Sequence, residues 1–168
     1  TPIATAGKGS QSHLSAVMFF NAINAKFRPV HYRGEAPALV DLLGGQVPIY
    51  FASIPGTLSH LKAERLRGYA VTTTGRTPAA PDIPSFTELG MPEVLATSWF
   101  GLSAPKGTPQ EAVNALAAAL GKALEDKAMQ DRLAADGATT RKLSIAEFND
   151  YMKRDYERWG KVLRAANI

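Results

Sequence analysis

Ile3-Ala4-Thr5-Ala6-Gly7-Lys8-Gly9-Ser10-Gln11-Ser12-His13-Leu14 runs from a short apolar stretch through a glycine-rich turn directly into a helical pattern. Residues 1–6 read as a strand and 7–12 as the turn and cap. Leu14, Val17, Met18 and Ile23 share one helical face and predict a helix over 11–25. The same unit then recurs. Residues 27–32 read as a strand, a turn follows at Arg33-Gly34, and 36–43 is a helix that Gly44-Gly45 stops by permitting positive φ. Residues 47–52 read as a buried strand and 55–61 as a helix with Pro55 in its first turn. Residues 66–72 form a fourth strand. This β-α-β-α-β-α-β alternation with short connections predicts an α/β fold, a mainly parallel sheet flanked by helices.

The second half follows another pattern. Residues 76–91 carry Pro78, Pro81 and Pro84 and read as a surface excursion, with Ser85 and Glu88 as the capping box of a short helix. A long strand is expected over 97–104. A helix then starts at Thr108-Pro109 with Thr108 as cap, burying Val113, Leu116, Ala117, Leu120 and Leu124. A short helix over 128–135 stops at Gly137, and 138–141 is expected as an edge strand. Ser144 and Glu147 cap a long helix whose apolar face is Phe148, Met152, either Asp155 or Tyr156, Trp159, Leu163 and Ala166. Trp99, Phe100 and Trp159 read as core residues.

Composition removes several chemistries. With no cysteine there is no disulfide, thiolate metal site or cysteine nucleophile. The net charge of +4 comes from dispersed Lys and Arg without interleaved aromatics, which argues against a nucleic-acid partner. No apolar run approaches the roughly 20 residues that cross a bilayer. His13, His31 and His60 lack a metal-binding spacing, so neither a metal nor a cofactor is expected.

The turn at residues 6–13 is neither a P-loop nor a G-x-G-x-x-G fingerprint, yet glycines and the free N–H groups of a helix start suit an anion. Taken by itself such a turn is more often a plain cap. Two further loops, Tyr32-Arg33-Gly34-Glu35 and Ala52-Ser53-Ile54-Pro55, leave the carboxyl ends of strands in the same sheet, where ligands of open α/β sheets bind. Arg33 either pairs with a ligand carboxylate or forms a surface ion pair with Glu35. An enzyme using Ser10, His13 and an acid is the competing reading, but no nucleophile elbow is present. Asp82, Glu88 and Glu93 form no acid/base pair.

An ordered series of motifs spans nearly the whole chain. It comprises Gly7-x-Gly9-Ser10-x-x-His13, His31-Tyr32-Arg33-Gly34-Glu35-Ala36-Pro37, Asp41-Leu42-Leu43-Gly44-Gly45-Gln46-Val47 and Leu66-Arg67-Gly68-Tyr69-Ala70-Val71-Thr72. Pro81-Asp82-Ile83-Pro84, Trp99-Phe100-Gly101-Leu102, Ala104-Pro105-x-Gly107-Thr108-Pro109 and Trp159-Gly160-Lys161-Val162 complete it. The series resembles the Bug, or tripartite tricarboxylate transporter receptor, family of periplasmic solute-binding proteins.

The resemblance implies a two-lobed, type II periplasmic binding protein that closes on a small organic carboxylate and hands it to membrane permease subunits. It implies that the sequence opens about midway through a receptor. Residues 1–96 would be the second ligand-binding lobe, and 97–168 the hinge crossover strand and the helices that complete the first lobe. The faces that the missing lobe would leave open are where a dimer is expected. The implied ligand-binding residues are Gly9, Ser10, Gln11, Ser12, Tyr32, Gly34, Glu35, Ala36 and Ser53, with backbone N–H groups and small hydroxyls holding one carboxylate. In that family a small residue commonly stands at the position of Glu35, and an acid or amide at that of Ser53. A carboxylate at Glu35 pointing inward would repel an anionic ligand.

Overall fold

The strand-turn-helix unit beginning at Pro2 is built three times in the computed structural model, which describes residues 1–165. Strands β1 (Pro2–Thr5), β2 (Arg28–His31) and β3 (Ile49–Tyr50) form a parallel sheet in the order β2-β1-β3. Each leads into a helix: α1 (Gln11–Ala22), α2 (Glu35–Leu43) and α3 (Ile54–Lys62). Successive side chains of a strand point to opposite faces, so adjacent residues of β1 seed two cores. Ile3 packs with Ala16 and Phe20 of α1, backed by Phe19, Phe27 and Phe51. Ala4 packs with Ala38 of α2 and with Val47, backed by Val30, Leu42 and Tyr50. The central strand is thus sandwiched between helices, and its carboxyl end, with those of β2 and β3, faces one edge of the sheet.

Several expectations are corrected. Helix α1 ends at Ala22, because Asn24 takes a left-handed φ of 49°. Ile23 is consequently exposed, and Phe20 and Ala16 carry the core contact instead. Residues 47–52 yield only a two-residue strand, although Val47 is buried. Residues 66–72 form no strand; only Val71 finds a β partner, bridging to Ser85. A strand needs a neighbour to hydrogen-bond, and the 66–70 backbone borders the open cleft described below.

The same reason applies to 97–104, which pairs with no strand among the described residues and leaves Phe100 95% exposed. Phe100 is therefore not a core residue. Trp99 does pack, with its edge against Phe148 and Tyr151. Residues 138–141 likewise form no strand. Both capping boxes exist, with Ser85 and Glu88 bonding each other's backbone N–H, and Ser144 and Glu147 doing the same. The first closes a turn that does not propagate into a helix.

The C-terminal part comprises α4 (Gln110–Glu125), α5 (Lys127–Ala135) and α6 (Ile145–Ala165). Pro109, not Thr108, is the N-cap of α4; the Thr108 hydroxyl donates to Pro105 O at 2.9 Å. Neither α4 nor α5 has a buried residue, and Leu116 on the apolar stripe of α4 is 55% exposed. Helix α6 is tied to the rest by polar contacts. Arg158 Nη1 donates to Leu95 O at 2.8 Å, and Trp99 Nε1 donates to Asp155 Oδ2 at 2.9 Å. Asp155 is therefore the inward residue and Tyr156 the outward one, 81% exposed. The expected contact of Ala166 lies outside the described residues.

Candidate functional site

Chain geometry brings Ser10, Gln11, Ser12, Glu35 and Ser53 to one open cleft of about 2710 Å³ along the carboxyl edge of the sheet. Enclosed ligand pockets measure roughly 300–1,000 Å³, so this is an open cleft and not a closed chamber, and it runs on to residues of the C-terminal helices such as Leu116 and Phe148. Gly9, Tyr32, Gly34 and Ala36 do not line it. The Tyr32 hydroxyl instead donates to Asp41 Oδ2 at 2.7 Å, which raises its pKa and ties β2 to α2.

The glycine-rich turn is wired internally. Ser10 is the N-cap of α1, and its hydroxyl donates to Gly7 O at 2.7 Å while accepting the His13 N–H at 3.4 Å. Ser12 Oγ accepts the Ala6 N–H at 2.7 Å and lies 2.9 Å from Ser10 Oγ. Since the single Ser10 proton is committed to Gly7 O, the proton between the two serines comes from Ser12. The hydroxyls therefore shape the turn. Among the described residues, the backbone N–H groups of Gln11 and Ser12 carry no hydrogen bond, as expected of the first turn of a helix. The Gln11 side chain is engaged separately, its Oε1 accepting from the Ser98 hydroxyl.

His13 proves to be a clamp. The Gly9 N–H donates to its Nδ1 at 3.1 Å, which requires a neutral ring carrying its proton on Nε2. The ring sits edge-on to His31, centroids 4.7 Å apart, and His31 Nδ1 is 2.7 Å from Thr5 Oγ1. Burial, and then the nearby His31 and Lys8, lower the His13 pKa from its ordinary 6.5. The Ser10 hydroxyl is not bonded to this imidazole, so the nucleophile-base pair of the competing enzyme reading is not assembled.

A pH dependence follows. A histidine with a depressed folded pKa binds fewer protons folded than unfolded, so its contribution is complete above the unfolded value, begins to fall there, and is lost as pH falls through the folded value. Melting between pH of about 7.5 and about 5.5, spanning the unperturbed histidine pKa, should show a falling midpoint. His13→Asn keeps an acceptor near Gly9 without titrating and should show a smaller fall. An equal fall in both proteins would mean that His13 is not the group responsible.

Glu35 turns its carboxylate onto the start of α3. Oε1 accepts the Ser53 N–H at 2.8 Å, and Oε2 accepts the Ser53 hydroxyl at 3.0 Å. Ser53 is the N-cap of α3, and its Oγ also accepts the Gly56 N–H at 3.2 Å. Glu35 and Ser53 thus bond to each other across 18 residues. Arg33 is exposed and forms no ion pair with Glu35 among the described residues. Tyr50, the last residue of β3, also lines the cleft. Burial, followed by the charge of Glu35, pushes its pKa up, while Ser12 acts in the opposite direction, so Tyr50 stays a neutral phenol. Sequence reasoning missed Tyr50. The available signal was its place at the carboxyl end of a strand, level with the two loops already singled out.

Among the described residues no helix is long and apolar enough to cross a membrane, and no cluster of His, Cys, Asp and Glu is arranged to hold a metal. In solved structures, the chain superimposes on Rpa4515 of R. palustris with adipate at a TM-score of 0.92 and 31% identity, covering 99% of this chain and 56% of that one. MatC (Rpa3494) from Rhodopseudomonas palustris with bound malate gives a TM-score of 0.87 at 29% identity, over 96% and 56%. The protein BugT of Bordetella pertussis is 35% identical over 156 residues, 93% of this chain and 48% of BugT. The chain spans about half the length of these relatives. Its fold is that of the periplasmic binding proteins, α/β with a parallel sheet flanked by helices. A family model described as the tripartite tricarboxylate transporter family receptor matches residues 2–168, and the chain belongs to that family.

Proposed function

We propose that the chain forms one wall of a periplasmic receptor that captures a small organic carboxylate for a tripartite transporter. The observation that carries this reading is the α1 N-terminus, which borders the cleft with the Gln11 and Ser12 N–H groups unused by the fold. Two adjacent N–H donors, reinforced by the positive end of the helix, suit the two oxygens of a carboxylate. The Ser12 hydroxyl supplies a third donor when it rotates away from Ser10. Gly9 and His13 serve this site by holding the loop, and Tyr32 by bracing α2, without touching the ligand. Bound adipate and bound malate in two neighbours support the ligand class.

Residues 1–96 act as the second lobe in this reading. The other half of the site comes from a first lobe that covers the apolar stripe of α4, including Leu116 and Leu120, together with Phe100 and Leu102. All of these border the cleft, and Phe100 and Leu102 are exposed and belong to no strand. The permease subunits receive the ligand when the lobes reopen. Where no first lobe covers those faces, they pair two copies of the chain.

Calorimetric titration of the intact receptor with adipate and malate, each as the diacid and as the monoamide acid, and with their uncharged diamides tests the ligand class. Binding of the acids and not of the diamides is expected. Equal binding of both, or binding of neither, would contradict the reading.

A further inference from the structure

We propose that Glu35 selects the ligand class, fitting this wall for a carboxylate that also carries a hydrogen-bond donor, such as a hydroxyl, ammonium or amide, and disfavouring a second carboxylate. The proposal rests on the receptor reading above. A pendant acid on an exposed loop would be a solvated charge, but this one is built in. Each carboxylate oxygen has one partner on Ser53, at 2.8 and 3.0 Å. The residue facing it in the first turn of α3 is Gly56, where a Cβ would fall 3.0 Å from Glu35 Oε1. The absence of a side chain there leaves the carboxylate its seat.

The carboxylate is held at the positive end of a helix, beside the cleft. A carboxylate oxygen accepts two hydrogen bonds, so each retains one acceptor direction beyond its bond to Ser53. Those directions can be satisfied by a donor and not by another anion. The internal carboxylate also consumes the Ser53 N–H and hydroxyl, the donors with which α3 would otherwise receive an anionic group. Tyr50, a neutral phenol within the field of Glu35, adds a hydroxyl that bridges to either a donor or an acceptor. The α1 end of the cleft thus takes an anion, and the α3 end takes a donor.

Succinate and its monoamide succinamate differ by one charge on one skeleton and separate these demands. Titrated into the intact receptor, succinamate should bind at least about tenfold more tightly than succinate, a difference of about 1.4 kcal/mol. In Glu35→Gln, which keeps an acceptor for the Ser53 N–H, the preference should shrink by about tenfold through a gain for succinate. Unchanged amide resonances of Thr57 and Leu58, which lie in α3 and do not bond Glu35, would report an intact helix in that variant. A ratio identical in the two proteins, or a wild type preferring succinate, would overturn the assignment of Glu35 while leaving the receptor reading in place. Binding of no carboxylate at all to the wild type would remove both.

Discussion

Ser12→Ala is expected to lower the unfolding free energy by about 1–3 kcal/mol, the cost of stranding a part-buried donor. The Ala6 N–H at the end of the central strand loses its acceptor at 2.7 Å, and Ser10 Oγ loses its neighbour at 2.9 Å. Ser12 is buried, so water cannot readily replace the lost oxygen. Ser10→Ala removes a cap on a more accessible residue and should cost less, about 1 kcal/mol. Urea denaturation of the two variants gives the order directly. Ser12→Thr retains the oxygen and should recover most of the loss. A Ser12→Ala variant as stable as the wild type would show that the strand end does not depend on this bond.

Gly137→Val should be more damaging, at about 2–5 kcal/mol, because backbone strain and overpacking coincide. Gly137 has a left-handed φ of 80° after α5, and a Cβ there would lie 2.5 Å from Ile54 Cγ2 and 3.2 Å from Ala79 Cβ. Ile54 is the first residue of α3, so the damage should reach the site through the Ser53 amide. Adding Ile54→Ala removes the contact and leaves the φ strain, so the double variant should recover only part of the loss in a thermal unfolding cycle. Full recovery would assign the whole effect to the clash, and no recovery would assign it to the backbone.

The local half of the architecture was legible in the sequence. The glycine-rich turn, the breaks at Gly44-Gly45 and the Pro55 helix start are short-range signals, and they place three strand-helix units correctly. Alternation alone did not make strands of 66–72 and 97–104. Their side chains have the right pattern, but a ladder also needs a neighbouring backbone, and pattern carries no information about a neighbour. The capping boxes make the same point at smaller scale. Ser144 and Glu147 open a long helix, whereas Ser85 and Glu88, bonded in the same reciprocal way, precede a turn that Gly90 closes with positive φ.

At the site, the sequence identified the right turn and misjudged its wiring. Ser10 and Ser12 are neighbours along the chain, so their proximity was foreseeable. That Ser10 donates to Gly7 and Ser12 to Ser10 depends on where Ala6 and Gly7 point. His13, which in the sequence had no metal-binding spacing and a place in the enzyme reading, packs against His31 and accepts the Gly9 N–H. The Glu35–Ser53 pair spans two loops and exists only because α2 and α3 start at the same edge of the sheet. Tyr50 enters for the same reason. Tyr32, Gly34 and Ala36 belong to the right loop, but their side chains or backbone lie off the cleft.

The central claim is that a ligand carboxylate is held by the backbone at the start of α1. Its most direct measurement is amide NMR of the intact receptor during titration with adipate. The account predicts that the Gln11 and Ser12 amide protons shift furthest downfield and saturate together, at the affinity found by calorimetry. Saturable binding that leaves both resonances unmoved would contradict it.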